Sequence, residues 1–197
     1  MKKKMFLFLC GLLFTMTAVK AQDSGFGLRA GINTDEVDNE IKIGPHFGVY
    51  YNIMLADNFA IQPEILYSIQ SSGIPVNDAS GASMSTSQNT SYINIPVMAK
   101  LYVAPGLNVQ LGPYFGFLMS ARSDDDADIS LKADFSDTDY GLAAGAAYEF
   151  PGGFNIGGRY NLGLADVSEG LNRDGAIGSV DKRYTNQFAQ FFIGFTF

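Results

Sequence analysis

The chain has 197 residues, 13 of them basic and 20 acidic, with a formal charge of −7 and a hydrophobic content of 47%. That acidity argues against a protein held to nucleic acid by phosphate contacts, and one cysteine, Cys10, cannot build a disulfide framework. The length suits a single domain, and neither a linker nor a heptad pattern divides it.

Residues 1–21 read as a secretory signal peptide. Lys2, Lys3 and Lys4 precede an apolar run from Met5 to Val19, and Val19-Lys20-Ala21 supplies a small-residue cleavage site. The run is shorter than the roughly twenty residues a membrane-crossing helix needs. Cys10 lies inside it, preceded by Phe8 and Leu9, which do not suit lipid attachment. Cleavage after Ala21 removes four lysines and the cysteine, so residues 22–197 form a still more acidic chain without a thiol.

From there the chain alternates with period two, the pattern of strands with one apolar and one polar face. A first strand, Gly25 to Thr34, sets Phe26, Leu28, Ala30 and Ile32 against Gly27, Arg29, Gly31 and Asn33. The second, Ile41 to Ile53, sets Ile43, Phe47, Val49, Tyr51 and Ile53 against Lys42, Gly44, His46, Gly48 and Asn52; Pro45 is an irregularity on the apolar side. The third, Phe59 to Gln70, opposes Phe59, Ile61, Ile65, Tyr67 and Ile69 to Gln62, Glu64, Ser68 and Gln70. The fourth, Tyr92 to Val103, opposes Ile93, Ile95, Val97, Ala99, Leu101 and Val103 to Asn94, Met98, Lys100 and Tyr102.

The fifth strand, Leu107 to Ala121, turns Val109, Leu111, Phe115, Phe117 and Met119 one way and Gln110, Gly112, Tyr114, Gly116 and Ser120 the other. In the sixth, Asp139 to Phe150, Tyr140, Leu142, Ala144, Ala146 and Tyr148 alternate with Gly141, Gly145 and Glu149. The seventh, Phe154 to Ala165, sets Phe154, Ile156, Tyr160, Leu162 and Leu164 against Asn155, Arg159 and Asn161. The last, Gln187 to Phe197, carries Ala189, Phe191, Ile193, Phe195 and Phe197 on one face.

Strands of about ten residues, with one face apolar throughout, predict an all-β fold: an eight-stranded antiparallel up-and-down transmembrane β-barrel over residues 22–197, of the smallest size that spans a membrane. The connections at Met54 to Asn58, Ala104 to Pro105 and Pro151 to Gly153 are tight, and those at Asp35 to Glu40, Ser71 to Ser91, Arg122 to Thr138 and Asp166 to Tyr184 are long. In outer-membrane barrels tight turns face the periplasm and long loops the exterior. Tyr51, Phe59, Phe150, Phe154 and Phe197 would then ring the periplasmic boundary, and Tyr67, Tyr140 and Tyr184 the outer one.

Five segments, in order, resemble the PorT-like outer-membrane β-barrel family widespread in Bacteroidetes. They are Gly27-Leu28-Arg29-Ala30-Gly31-Ile32-Asn33, Gln62-Pro63-Glu64-Ile65-Leu66-Tyr67-Ser68, Ile93-Asn94-Ile95-Pro96-Val97, Gly112-Pro113-Tyr114-Phe115-Gly116 and Arg159-Tyr160-Asn161-Leu162-Gly163-Leu164. After Tyr67-Ser68 the chain departs from the family pattern, with Ile69-Gln70-Ser71-Ser72-Gly73 in place of a Gln-Lys-Gly-like continuation. The resemblance implies a barrel in the outer membrane; it does not imply a specific activity. Separately, the aromatic end of the last strand, Phe191, Ile193, Phe195 and Phe197, resembles the signal read by the barrel-insertion machinery.

The inward series collects Arg29, Lys42, Glu64, Lys100, Glu149 and Arg159, and an eight-stranded interior has room for little besides side chains. Buried charges need partners, so these six are expected to form a salt-bridged plug with Asn33, Asn94, Gln110, Tyr114 and Asn161; the alternative is a narrow ion path gated by the same pairs. His46, the sole histidine, has no nucleophile or carboxylate motif beside it and is expected to hydrogen-bond in the lumen. The acidic run Asp124-Asp125-Asp126-Ala127-Asp128, with Asp134, Asp137 and Asp139, lacks the spacing of a calcium loop and reads as a solvated surface, bridged at most weakly by divalent ions to lipopolysaccharide. The polar stretch Asp78 to Thr90, including the sequon Asn89-Thr90-Ser91, suits recognition more than packing. No acid, base and nucleophile, no cofactor site and no metal site emerge. The expectation is a monomeric envelope or surface-interaction protein whose outer loops meet a surface or secretion partner, with a small channel for ions or polar solutes as the alternative.

Overall fold

The computed structural model describes residues 24–37, 40–77, 83–123, 137–165 and 185–197. The expected signal peptide, the acidic run at residues 124–128 with Asp134, and Tyr184 lie outside them. The strands are β1 (Gly25–Val37), β2 (Glu40–Ala56), β3 (Phe59–Asn77), β4 (Ser83–Ala104), β5 (Leu107–Ser123), β6 (Thr138–Glu149), β7 (Phe154–Gly163) and β8 (Gln187–Thr196). Each is hydrogen-bonded to the next, and β8 pairs antiparallel with β1 through Leu28↔Phe195 and Ala30↔Ile193, closing an eight-stranded barrel.

Closure follows from the pattern. Every strand carries an apolar series that cannot face the polar one, and a closed sheet gives each face its own medium while leaving no unpaired edge. On the outer wall Phe47, Leu111, Phe115, Leu142, Phe191 and Ile193 are exposed. The inward residues of the same strands, among them Glu64, Met98, Tyr114 and Phe192, are buried. Pro45 keeps its register opposite Ile32, on the outer wall as expected.

Three tight turns gather at one end with both ends of the barrel chain. Gly106, Gly152 and Gly153 have φ of 76°, 95° and 93°, the left-handed region that a side chain disfavours, so glycine suits these reversals. Phe197 N–H donates to Phe26 O at 2.8 Å, fastening the two chain ends together. Beside them Tyr148–Phe150, Phe150–Phe154 and Phe195–Phe197 have ring centroids 4.8, 5.6 and 5.3 Å apart, an aromatic belt where an interface is expected.

At the opposite end the strands outrun the sequence reading. The connection expected between Ser71 and Ser91 is largely ladder: β3 and β4 stay in register from Ser71↔Asn89 to Asn77↔Ser83. Backbone pairing accounts for this, because a hairpin beyond the membrane needs only its own hydrogen bonds and water, so the alternation that marks a buried face disappears while the strand continues. For the same reason β1 runs to Val37 and β2 starts at Glu40, shortening that connection.

Candidate functional site: the charged lumen

Alternation aims Arg29 of β1, Glu64 of β3, Lys100 of β4, Glu149 of β6 and Arg159 of β7 into the barrel, and the fold brings these five together. Glu64, 1% exposed, is the hub. Its Oε1 accepts from Arg29 Nη1 at 2.7 Å, Gln62 Nε2 at 2.7 Å and Arg159 Nη2 at 2.9 Å, and its Oε2 from Arg159 Nη1 at 3.0 Å. The fork-on-fork contact with Arg159 is the strong bidentate type. Phe192 of β8 lies under both guanidinium groups, 3.8 Å from Arg29 and 4.9 Å from Arg159, where a desolvated cation gains from the ring face.

A second group lies nearer the short turns. Lys100 Nζ makes a close ion pair with Glu149 and also donates to Asn52 Oδ1 at 3.2 Å and Gln62 Oε1 at 3.0 Å. Tyr102 Oη and Asn108 Nδ2 donate to Glu149 at 3.0 and 3.3 Å. Gln62 ties this group to Glu64, while Gln110, accepting from Arg159 at 3.0 Å and donating to Asn108 at 2.8 Å, ties it to Arg159. The result is a closed circuit across the lumen: Glu64, Arg159, Gln110, Asn108, Glu149, Lys100, Gln62 and back. With Arg29, Asn52 and Phe192 added, every strand contributes.

Above the circuit the lumen turns apolar, with Leu66, Met98, Tyr114, Ala143 and Phe188 buried. Beyond that lies an uncharged chain capped by an aspartate. Gln190 donates to Asn33 at 3.0 Å, Asn33 and Gln70 to Ser68 at 2.8 and 3.3 Å, Asn186 to Gln70 at 2.5 Å and to Asp139 at 3.3 Å, and Tyr114 Oη to Asp139 at 3.2 Å. Inward glycines make room for the large groups: a Cβ at Gly157 or Gly141 would press on the ring of Phe192 or Tyr114.

Several expectations need correction. Lys42 faces inward but lies at the outer end of β2, opposite Asp35 in register, away from the circuit; parity along a strand sets the face and not the height. Of the expected helpers, Gln110 touches the charged group, whereas Asn33 and Tyr114 belong to the outer chain. The Asn161 amide nitrogen has no hydrogen-bond partner among the described residues, nor has either ring nitrogen of buried His46. Gly31, opposite His46, offers no side chain, and the Ser68 oxygen on its other flank is engaged by Asn33 and Gln70. The sequence reading overlooked Gln62 as the bridge and Phe192 as the platform; their inward parity was the available signal.

Among the described residues no group of three or more His, Cys, Asp or Glu could hold a metal. The chemistry of the site is charge neutralisation in a closed space.

Residues 14–169 match the family described as outer membrane protein beta-barrel domain. The chain belongs to that family. Like its description, this outer membrane protein beta-barrel domain presents a closed barrel with an apolar outer wall, and the protein resides in the outer membrane. Comparison with curated proteins finds no match. Among solved structures, Ail of Yersinia pestis, the attachment invasion locus protein, in complex with the heparin analogue sucrose octasulfate, is 12% identical, with 88% of this chain and 96% of that chain covered and a TM-score of 0.49. Ail in a phospholipid bilayer nanodisc is 10% identical over 89% of this chain and 100% of that one, also at 0.49. The NanC porin is 11% identical over 87% and 98%, at 0.29.

Proposed function

We propose that this barrel is an anchor whose lumen is plugged and whose outward connections do the work, as an envelope or surface-interaction protein. The closed side-chain circuit carries the reading: an ion crossing the lumen has to separate Glu64 from two arginines and Glu149 from Lys100 with little water to replace them. Charge distribution supports the second half. Of the 20 acidic residues 15 fall in the four outward connections expected from the sequence, all but Asp23, Asp57, Glu64, Asp139 and Glu149, although Asp35 among the 15 is buried on β1. Such a surface suits a basic partner, or lipopolysaccharide through divalent ions, better than a polyanion. The five ordered motifs favour the PorT-like branch of the family.

The test is conductance of the refolded chain in a planar bilayer, beside a variant with Glu149 and Arg159 replaced by alanine. Silence of the unaltered chain, with its fold verified by circular dichroism, is expected. Reproducible openings that change in the variant would instead make the protein a small channel.

A further inference from the structure

The charges at the centre of the lumen do not balance. Arg29 Nη1 and Arg159 Nη2 share Glu64 Oε1 at 2.7 and 2.9 Å, so two guanidinium groups lie side by side on a single carboxylate. Arginine keeps its proton in proteins, which leaves the group with one positive charge in excess. Lys100 does not alter that sum, because its close pair with Glu149 is neutral whichever partner holds the proton. The other buried carboxylates among the described residues are engaged at the outer end: Asp139 accepts from Tyr114 and Asn186, and Asp35 lies opposite Lys42. An uncompensated charge in a side-chain-filled interior is costly.

The hydrogen bonds are unbalanced in the same sense. Arg29 and Arg159 are each 4% exposed, and the Nε–H of each has no acceptor among the described residues. His46, 1% exposed, has neither ring nitrogen engaged, and a neutral imidazole still carries one N–H. Its ring lies over Gly31, where a Cβ would stand 2.7 Å from Cε1 and 2.8 Å from Nε2, two residues from Arg29 on the inward face of β1. The charged groups that act on this imidazole are Arg29, Arg159 and Glu64. The Asn161 amide nitrogen, two residues beyond Arg159 on the same face of β7, is a further donor without an acceptor among the described residues. Phe192 covers both guanidinium groups, but its ring carries no net charge. Water satisfies donors and leaves the charge; one anion answers both.

We infer that the lumen binds one halide ion, chloride being the common one, beside Arg29 and Arg159, where it accepts from their Nε–H groups and from the N–H of His46. The interior of an eight-stranded barrel is just wide enough for side chains, which selects a monatomic anion over phosphate or an organic acid. The ion completes the neutralisation that Glu64 begins. The site is separate from the outward connections and does not depend on what they bind.

The test has two arms, both on the full chain refolded in detergent micelles. In the first, sodium bromide replaces sodium gluconate at constant ionic strength, and the urea midpoint is expected to rise and saturate as for a single site that only the folded chain offers. Arg29→Met leaves the neutral pair of Glu64 and Arg159 and is expected to abolish that rise. His46→Leu spares all three charges and is expected to weaken bromide binding about three- to tenfold, the scale of one hydrogen bond, so it stays informative even if Arg29→Met fails to refold. In the second arm, crystals grown in sodium bromide are expected to show bromine anomalous scattering between Arg29, Arg159 and His46. A midpoint indifferent to bromide, an equal rise in Arg29→Met or His46→Leu, or bromine confined to the outer surface, which would mark an adventitious ion only, would overturn the inference.

Discussion

Glu64 shows how a single side chain can organise a barrel interior. It accepts from Arg29, Gln62 and both terminal nitrogens of Arg159, so removing it strands two buried guanidinium groups. Breaking such a pair costs about 3–5 kcal/mol, and Glu64→Ala should lower the urea midpoint of the refolded barrel accordingly. Arg159→Glu should do likewise, because it sets two carboxylates against each other. A buried ion cluster, however, is seldom better than well-packed apolar groups. Exchanging Arg29, Glu64 and Arg159 together for Met, Leu and Met should cost far less than Glu64→Ala, or even stabilise. A triple variant as weak as the single one would mean that the lumen depends on its charges for shape and not merely for mutual neutralisation.

At the scale of the strand, one residue faces protein and the next faces lipid, so the same substitution has different consequences one position apart. Leu111, 59% exposed on β5 and opposite Ala144, lies midway along the wall. Arginine there should cost about 2–4 kcal/mol, against about 0–1 for Leu107→Arg beside the aromatic belt; equilibrium unfolding in lipid vesicles measures both. On β8 the exposed residues Phe191, Ile193 and Phe195 close the sheet against β1 and, with Phe197 just beyond the strand, make up the expected insertion signal. Phe197→Ser is expected to reduce assembly in cells while leaving refolding in detergent nearly intact, since Phe197 is 72% exposed and its fastening to Phe26 is through the backbone. Equal losses in both assays would make the residue structural and not a signal.

For the whole molecule, the balance of faces explains why an ordinary-looking composition hides a membrane protein. Lipid-facing Phe and Ile are diluted by lumenal Gly, Asn and Gln; among the described residues no helix is long and apolar enough to cross a membrane, and the strands cross instead. The circuit predicts a non-conducting pore, checked by the bilayer recording above. By itself the sequence determined the number of strands, their order and which residues face inward, because a period of two is written into each strand and needs no knowledge of its neighbours. It also marked Arg29, Glu64, Lys100, Glu149 and Arg159 as lumenal. Only the tertiary structure decided the height of each group within the barrel, which depends on how neighbouring strands are staggered. That stagger sends Lys42 to the outer rim, brings Gln62 between two ion clusters, slides Phe192 beneath two arginines and leaves His46 without a hydrogen-bond partner among the described residues. The long β3–β4 hairpin likewise escaped the pattern, because backbone hydrogen bonds extend a ladder without any alternation of apolar and polar residues.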